Sequence, residues 1–223
     1  IDRLIYALQS IRGAFSLVLL SNDSLIGVRD PYGIRPLVLG KLGDSYIFSS
    51  ESCGLDIIGA ELIRDIDPGE IVIIKENNIE SIKPFKKTYL KPCLFEYIYF
   101  SRPDSILQGR NVYNVRKNIG NQLANENPND EKLIDAVIPI PDSGNASALG
   151  YSKQINRPFE LGIIRNHYTG RTFIEDSGNV RNLSVKLKHN PNISTFKNKN
   201  IALIDDSIVR GTTSNKIVEM LRN

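Results

Sequence analysis

The sequence has few cysteines, little excess charge and no long apolar run. Its two cysteines, Cys53 and Cys93, lie far apart without a CxxC pair, which argues against a disulfide framework and favours a reducing cytoplasm. No apolar run is long enough to span a bilayer, and no signal peptide is visible. The 28 basic and 25 acidic residues leave a net charge of +3, which gives no reason to expect nucleic acid as a partner. We therefore predict a protein that binds neither membrane nor nucleic acid.

The length of 223 residues suits one large domain or two modest ones. The chain begins with Ile-Asp-Arg-Leu rather than Met and stops at Asn223 within a predicted helix. We expect it to be a fragment of a longer protein, cut at both ends.

Near the C-terminal end, a short strand, two acids and a polar loop follow one another. The apolar run 201–204 predicts a strand buried on both faces, and Asp205 and Asp206 come where it should end. Paired carboxylates can hold ribose hydroxyls or a hard cation such as Mg²⁺. The loop that follows offers hydroxyls, a tight turn and backbone N–H groups ahead of a helix, all suited to a phosphate. Its candidate residues are Ser207, Arg210, Gly211, Thr212 and Thr213. The pattern predicts a sugar-phosphate site, and an ordinary surface turn is the alternative.

A second strand–loop–helix unit precedes this one. The apolar run 136–140 predicts a strand, 141–144 a loop and Asn145 the start of a helix. Two such units side by side place both loops at the same edge of a parallel sheet. Ser143 in this loop is either a magnesium ligand or a plain helix N-cap.

The stretch between the two units, 162–181, is polar and contains glycines. It predicts a mobile lid whose Arg165 and Arg171 neutralise a leaving pyrophosphate, or else an exposed loop with solvated arginines.

The first 84 residues are rich in short apolar runs separated by turns. We predict a helix over 2–11 and then an antiparallel meander covered on both faces. Its strands are predicted at 14–20, 25–28, 37–39, 46–48, 71–74 and 79–82. Lys, Pro and Thr replace strand-forming residues at 83–92, where a domain boundary is expected.

The run from Asp205 to Ser214, Asp-Asp-Ser-Ile-Val-Arg-Gly-Thr-Thr-Ser, resembles the phosphoribosyl-pyrophosphate (PRPP) signature of type I phosphoribosyltransferases. Its form is similar to that of the glutamine PRPP amidotransferases, or amidophosphoribosyltransferases. The resemblance implies that Asp205 and Asp206 hold ribose and Mg²⁺, and that the loop from Ser207 to Thr213 wraps the 5′-phosphate. It further implies that Ser143 lies at the magnesium and that Arg165 and Arg171 belong to the PRPP loop.

Four runs in the first half resemble the second half of the glutaminase domain of the same family, an N-terminal-nucleophile hydrolase with an αββα sandwich. They are Arg12–Ser16, Arg29–Leu37, Ser49–Ser52 and Asp67–Glu70. The implied organisation is α+β followed by α/β. Residues 1–84 form the end of the glutaminase domain, 85–92 a linker, and 93–223 the first part of a phosphoribosyltransferase with a parallel sheet. The family's nucleophile is an N-terminal cysteine, and position 1 is isoleucine. We therefore assign no glutaminase catalytic residue and expect no glutamine hydrolysis by this polypeptide.

The resemblance also implies a reaction. Ammonia released from glutamine displaces pyrophosphate from PRPP and gives 5-phosphoribosylamine, the first committed step of de novo purine synthesis. The implied cofactor is Mg²⁺, and Cys93 matches a [4Fe–4S] ligand of one subgroup, although cluster-free relatives also carry cysteine there. The implied partners are PRPP, glutamine, purine nucleotides as feedback inhibitors and further copies of the chain in a homo-oligomer.

Two other functions fit part of the sequence. A phosphoribosyltransferase that uses a preformed base does not need the strand-rich first half. A PRPP-sensing regulator acting on nucleic acid should carry a basic patch or a recognition helix, and none is evident.

Overall fold

A computed structural model describes residues 1–76, 78–128, 130–166, 189–208 and 211–222. Within these ranges the chain divides into two compact units, Ile1–Val112 and Tyr113–Asn223. No helix in the described ranges combines the length and the apolar character needed to cross a membrane.

The first unit consists mainly of short antiparallel strands. Its helices are α1 (Asp2–Ser10) and α2 (Ser52–Ile57). Its strands are β1 (Ser16–Leu20), β2 (Leu25–Arg29), β3 (Val38–Leu42), β4 (Ser45–Ser49), β5 (Glu61–Asp65), β6 (Ile71–Lys75), β7 (Asn78–Ile82), β8 (Ile106–Leu107) and β9 (Arg110–Asn111). A π-helical turn occupies Glu96–Phe100.

These strands form two main sheets, ordered β1-β2-β6-β7 and β4-β3-β5, beside a small β8-β9 pair. The single meander predicted from the sequence is therefore wrong, because β2 pairs with β6 and β3 pairs with β5 across long stretches of chain. Full coverage on both faces holds only for central strands: β6 is buried at four successive positions, whereas β7 is exposed at its first four.

Three apolar clusters show how the layers stack. In the first, Leu8 of α1 packs on one face of the first sheet, against Val28 and Ile71. In the second, Leu39 of β3 meets Val72 of β6, which joins the two sheets. In the third, Leu55 of α2 covers the outer face of the second sheet. The order helix, sheet, sheet, helix is the αββα sandwich that the resemblance implied.

Residues 93–112 pack with this first unit, so the division of the chain falls later than the linker predicted at 85–92. The Glu51 carboxylate accepts hydrogen bonds from the Arg102 backbone N–H at 2.8 Å and from the Ser105 hydroxyl at 2.7 Å. The Ser52 hydroxyl accepts one from the Ile106 N–H at 2.8 Å. These bonds attach the segment that follows the linker to the start of α2.

The second unit has helices on both faces of a parallel strand pair. Its helices are α3 (Val112–Glu126), which begins at the last residue of the first unit, α4 (Asp130–Leu133), α5 (Asn145–Gln154) and α6 (Thr212–Arg222). Its strands are β10 (Ala136–Pro139), β11 (Ile163–Arg165), β12 (His189–Pro191) and β13 (Ile201–Ile204), and Ile193–Thr195 forms a 3₁₀ turn.

Strands β10 and β13 run parallel, and their residues alternate between two cores. On one face Val137 and Ile204 pack with residues of α3 and α5, and on the other Ile138 and Leu203 pack with Ile217 of α6. Strand β10 is buried at all four positions, as its continuous apolar run predicted, whereas β13 is only partly buried at its first three positions, so the burial predicted for 201–204 holds only at Ile204.

Candidate functional site

The carboxyl ends of β10 and β13 lie side by side, because their register pairs Ala136 with Ile201 and Pro139 with Ile204. One residue further on, the Ile140 N–H donates to the Ile204 carbonyl at 2.8 Å. The two loops predicted to bind the sugar phosphate therefore start from adjacent points of one sheet edge.

The first loop, 141–144, turns directly into α5. The Gly144 N–H donates to the Ile140 carbonyl at 2.9 Å. A Cβ on Gly144 would lie 2.5 Å from the Ile204 carbonyl oxygen, so only glycine allows this close approach to β13. The N-cap of α5 is Gly144 and no side chain caps the helix, so the N-cap alternative for Ser143 is wrong.

The acid pair follows β13 as predicted. The Asp206 N–H donates to Oδ1 of Asp205 at 2.9 Å. Oδ2 of Asp206 is buried and has no hydrogen-bond partner in the part of the chain that the structure describes. Burial, together with the side-chain hydrogen bond to Asp206, raises the pKa of Asp205 to about 6. Two crowded carboxylates with an unpaired oxygen form a site that a cation or a hydroxyl donor would stabilise.

The second loop leads into α6. Gly211 has φ +70°, a left-handed conformation that favours glycine, and its carbonyl accepts the Asn215 N–H at 2.9 Å. Ser207 and Ile208 are exposed, and Thr212 and Thr213 start the helix. Arg210 and the side chains of the two threonines lie outside the described residues, so their roles stay predictions.

Arg165 ends β11, close to the first loop. Its Nη1 lies 2.6 Å from Oδ2 of Asp142, and both side chains are half exposed. Asp142 was not assigned a role from the sequence, although its place in the loop that follows the buried strand β10 was a usable signal. Arg171 lies outside the described residues. Arg165 of β11 pairs with His189 of β12, so the described residues on either side of 167–188 lie next to each other.

In the first unit, the first two residues of the run Arg29–Leu37 have a structural role. The Arg29 guanidinium is buried and donates to three backbone carbonyls, those of Gly33, Arg35 and Ile66, at 2.6–2.9 Å. Burial lowers the pKa of Arg29, and neighbouring carboxylates oppose that shift. Asp30 is also buried, and its carboxylate accepts from the backbone N–H groups of Tyr32 and Ile34. These two side chains hold a turn together and offer nothing to a substrate.

Apart from the acid pair, the described residues offer no clear cluster of metal ligands. Cys53 is buried and Cys93 is half buried. Across the described ranges, no three His, Cys, Asp or Glu side chains are grouped as ligands of one ion. Magnesium commonly takes only one or two protein carboxylates and completes its shell with water and substrate oxygens, so Asp205 and Asp206 still fit it. A [4Fe–4S] cluster at Cys93 stays a prediction.

Comparison with known proteins agrees with these observations. Residues 3–56 match the model of a family described as a glutamine amidotransferase domain. The chain is 51% identical to an amidophosphoribosyltransferase of Rhizobium etli, over 99% of this chain and 45% of that protein. It is 46% identical to one of Methanocaldococcus jannaschii, over 96% of this chain and 48% of that protein.

A solved structure is similar throughout. The glutamine PRPP amidotransferase of Bacillus subtilis, complexed with ADP and GMP, superposes with a TM-score of 0.91 at 40% identity, covering 99% of this chain and 48% of that one. The chain thus spans less than half the length of these relatives. Together with the αββα unit and the acid pair at the end of β13, these similarities show that the chain resembles part of an amidophosphoribosyltransferase over almost its whole length.

Proposed function

We propose that the protein containing this chain is an amidophosphoribosyltransferase of purine synthesis. In this reaction ammonia derived from glutamine attacks C1 of PRPP, pyrophosphate leaves, and 5-phosphoribosylamine is formed. The observation that carries the proposal is the acid pair at the end of β13, next to the loop 141–144, with a buried Asp206 oxygen that has no partner among the described residues. That arrangement suits a ligand with both hydroxyls and phosphates.

The acid pair would bind the ribose. The carboxylates of Asp205 and Asp206 can each accept hydrogen bonds from ribose hydroxyls, which would satisfy the unpaired oxygen. Burial is the main cause of the raised pKa of Asp205, and the neighbouring Asp206 adds to it, so a hydroxyl donor or a cation bound at the pair would stabilise the charged carboxylates. The same two residues, with Ser143 from the adjacent loop, would hold Mg²⁺. When bound, the ion would offset the negative charge of the substrate's oxygens.

Each of the two loops would bind a different phosphate group of the substrate. The N-terminus of α6 and the turn at Gly211 suit the single 5′-phosphate, because a helix N-terminus presents free N–H groups to an anion. The loop 141–144 at the start of α5 suits the pyrophosphate, with Arg165 at its side. Arg171 and Arg210 are further cations proposed for the same anions. The protein's contribution is to fix the ring, retain the leaving group and exclude water.

No residue of this chain is assigned to the hydrolysis of glutamine. Glutamine as nitrogen donor, purine nucleotides as feedback inhibitors, a homo-oligomeric state and a cytoplasmic location are proposed from the similarity to amidophosphoribosyltransferases. The ADP and GMP bound to the Bacillus subtilis relative support the nucleotide proposal. A [4Fe–4S] cluster with Cys93 as one ligand is proposed for the intact protein. Iron and sulfide analysis of anaerobically purified protein tests it, and their absence would refute it.

The function is tested on the full-length protein with PRPP and Mg²⁺, by following pyrophosphate release with glutamine and separately with ammonia. Release with both is expected. The double variant Asp205→Asn with Asp206→Asn should lose turnover with both donors, because it loses the charge that holds ribose and metal. A matched control is Glu219→Gln, which neutralises an exposed carboxylate on α6.

Turnover of the double variant with ammonia at the wild-type rate would refute the site assignment. PRPP binding by the wild type without pyrophosphate release from either donor would instead indicate a PRPP-sensing regulator.

A further inference from the structure

A single ion pair links the loop 141–144 to the strand β11. Nη1 of Arg165 donates to Oδ2 of Asp142 at 2.6 Å, although the two residues belong to different elements of the second unit. Both side chains are about half exposed, at 52% and 54%. Packing therefore does little to hold the Arg165 side chain. Among the described residues, the carboxylate of Asp142 is the group that orients its guanidinium.

This contact leaves Arg165 able to bind an anion. A guanidinium carries five N–H donors in a planar fork, and the contact with Asp142 occupies a single terminal nitrogen. The structure gives the other N–H groups of the fork no partner among the described residues, so they could donate to phosphate oxygens near the start of α5.

We propose that Asp142 is the positioning residue for Arg165, which it holds over the loop 141–144 ready for the pyrophosphate group of the substrate. The inference rests on the proposed function and adds to it a residue and a role. A long, half-exposed side chain that is already ordered loses less conformational freedom when a ligand binds. Asp142 acts on the anion only through Arg165, because its own charge next to the pyrophosphate is unfavourable.

Because Asp142 and the pyrophosphate are both negatively charged, the effect of removing Asp142 on PRPP affinity should depend on whether Arg165 is present. With Arg165 present, Asp142 assists binding by orienting the guanidinium. With Arg165 removed, the same carboxylate is left unpaired beside an anion site and weakens binding. A role in folding alone would give effects of the same sign in both backgrounds.

The experiment is a double-mutant cycle on the full-length protein, with the dissociation constant for PRPP measured calorimetrically at fixed Mg²⁺ and without a nitrogen donor. The variants are Asp142→Ala, Asp142→Asn, Arg165→Ala and the double variant Asp142→Ala with Arg165→Ala. A matched control is Asp23→Ala, which breaks the exposed pair of Asp23 with Lys75 at 2.7 Å in the first unit.

Asp142→Ala should weaken PRPP binding about three- to tenfold, the amount expected for ordering one long side chain. Asp142→Asn retains the hydrogen-bond acceptor and should weaken it less, by about twofold. In the Arg165→Ala background, Asp142→Ala should have no effect or should strengthen binding. Asp23→Ala should change nothing. In turnover with ammonia, Asp142→Ala should raise KM for PRPP and leave kcat within about twofold.

Equal weakening by Asp142→Ala in both backgrounds would overturn the inference, as would no effect of Asp142→Ala in a protein whose binding depends on Arg165. A tenfold fall in kcat at unchanged KM would also overturn it, since Asp142 would then act on the reacting atoms. Failure of the wild type to bind PRPP at all would overturn the proposed function, and the inference with it. That result is distinct from the others because it appears before any variant is made.

Discussion

Neutralising Asp205 should make the ligand-free protein more stable near neutral pH, although it removes a residue proposed to bind substrate. Burial and the proximity of Asp206 raise the pKa of Asp205 to about 6, from an ordinary value of 3.8. The folded state therefore holds this proton more tightly than the unfolded state does. Stability is greatest while the group is protonated in both states, below about pH 4, and falls as the pH rises from about 4 to 6.

The size of the effect follows from this change in pKa. A rise of about 2 units corresponds to about 3 kcal/mol at 1.36 kcal/mol per unit. Since Asp205 is partly exposed and solvent screens its charge, we reduce this to about 1–2 kcal/mol. The variant Asp205→Asn should thus be about 1–2 kcal/mol more stable than the wild type at pH 7.5 and about equal to it at pH 4. Its amide can in addition donate to the neighbouring carboxylate.

Amide hydrogen exchange can measure this difference in stability near Asp205. It reports the opening free energy of β10, β13 and α5 separately from the rest of the chain. Exchange would be followed at pH 4–8 in EDTA, for the wild type, Asp205→Asn and the control Glu219→Gln on α6. The control should stay within about 0.5 kcal/mol of the wild type. With Mg²⁺ in place of EDTA, the wild type should regain protection and Asp205→Asn should not.

Equal protection of the wild type and Asp205→Asn at pH 7.5 would refute the reasoning. So would a wild-type protein that gains stability relative to the variant between pH 4 and 6. Either result would mean that the carboxylate pair is not strained in the absence of a ligand.

Three further changes test the fold around the sites. Gly144→Ala should lower the opening free energy of β10 and β13 by about 1–3 kcal/mol, because its Cβ would lie 2.5 Å from the Ile204 oxygen; unchanged exchange protection there would contradict this. The Arg64 guanidinium donates to the Glu70 carboxylate at 2.7–2.8 Å and lowers its pKa to about 2, although burial opposes this shift, so Glu70 contributes stability above about pH 4.5 that is lost as the pH falls towards 2. Glu70→Gln should therefore cost about 1–3 kcal/mol in urea unfolding at pH 7 and nothing near pH 2, and an equal cost at both pH values would disprove the assignment. Glu51→Ala should speed amide exchange in 101–106 about tenfold and leave the sheets unchanged, whereas slower or unaltered exchange would count against the attachment described above.

Much of the second unit could be predicted from local pattern. The strand predicted at 201–204 is β13 residue for residue, and the helix predicted from Asn145 is α5. These elements were recognisable because parallel buried strands are continuously apolar and are followed directly by polar loops. The adjacency of the two loops also followed, since it needs only the rule for parallel strands.

The structural features that could not be predicted depend on contacts between residues that are distant in sequence. Strand β5, Glu61–Asp65, has only two apolar residues, which are adjacent, so it lacks an alternating pattern; it forms because it pairs with β3. Large aromatic side chains are usually buried, yet Tyr99 and Phe100 are both more than half exposed on the π-helical turn. Nothing in the local sequence indicates that the segment 93–112 packs with the first unit, or that Asp142 meets Arg165. Such pairings are properties of the completed fold.

The buried Arg29 and Asp30 have a consequence for how such sequences are classified. Their run is the most recognisable stretch of the first unit, and it is recognisable because one guanidinium and one carboxylate must satisfy a particular set of backbone groups. A chain could retain this run, and with it these backbone contacts, even if its glutaminase were inactive. The motif is therefore a marker of ancestry and folding, and activity has to be inferred from other residues.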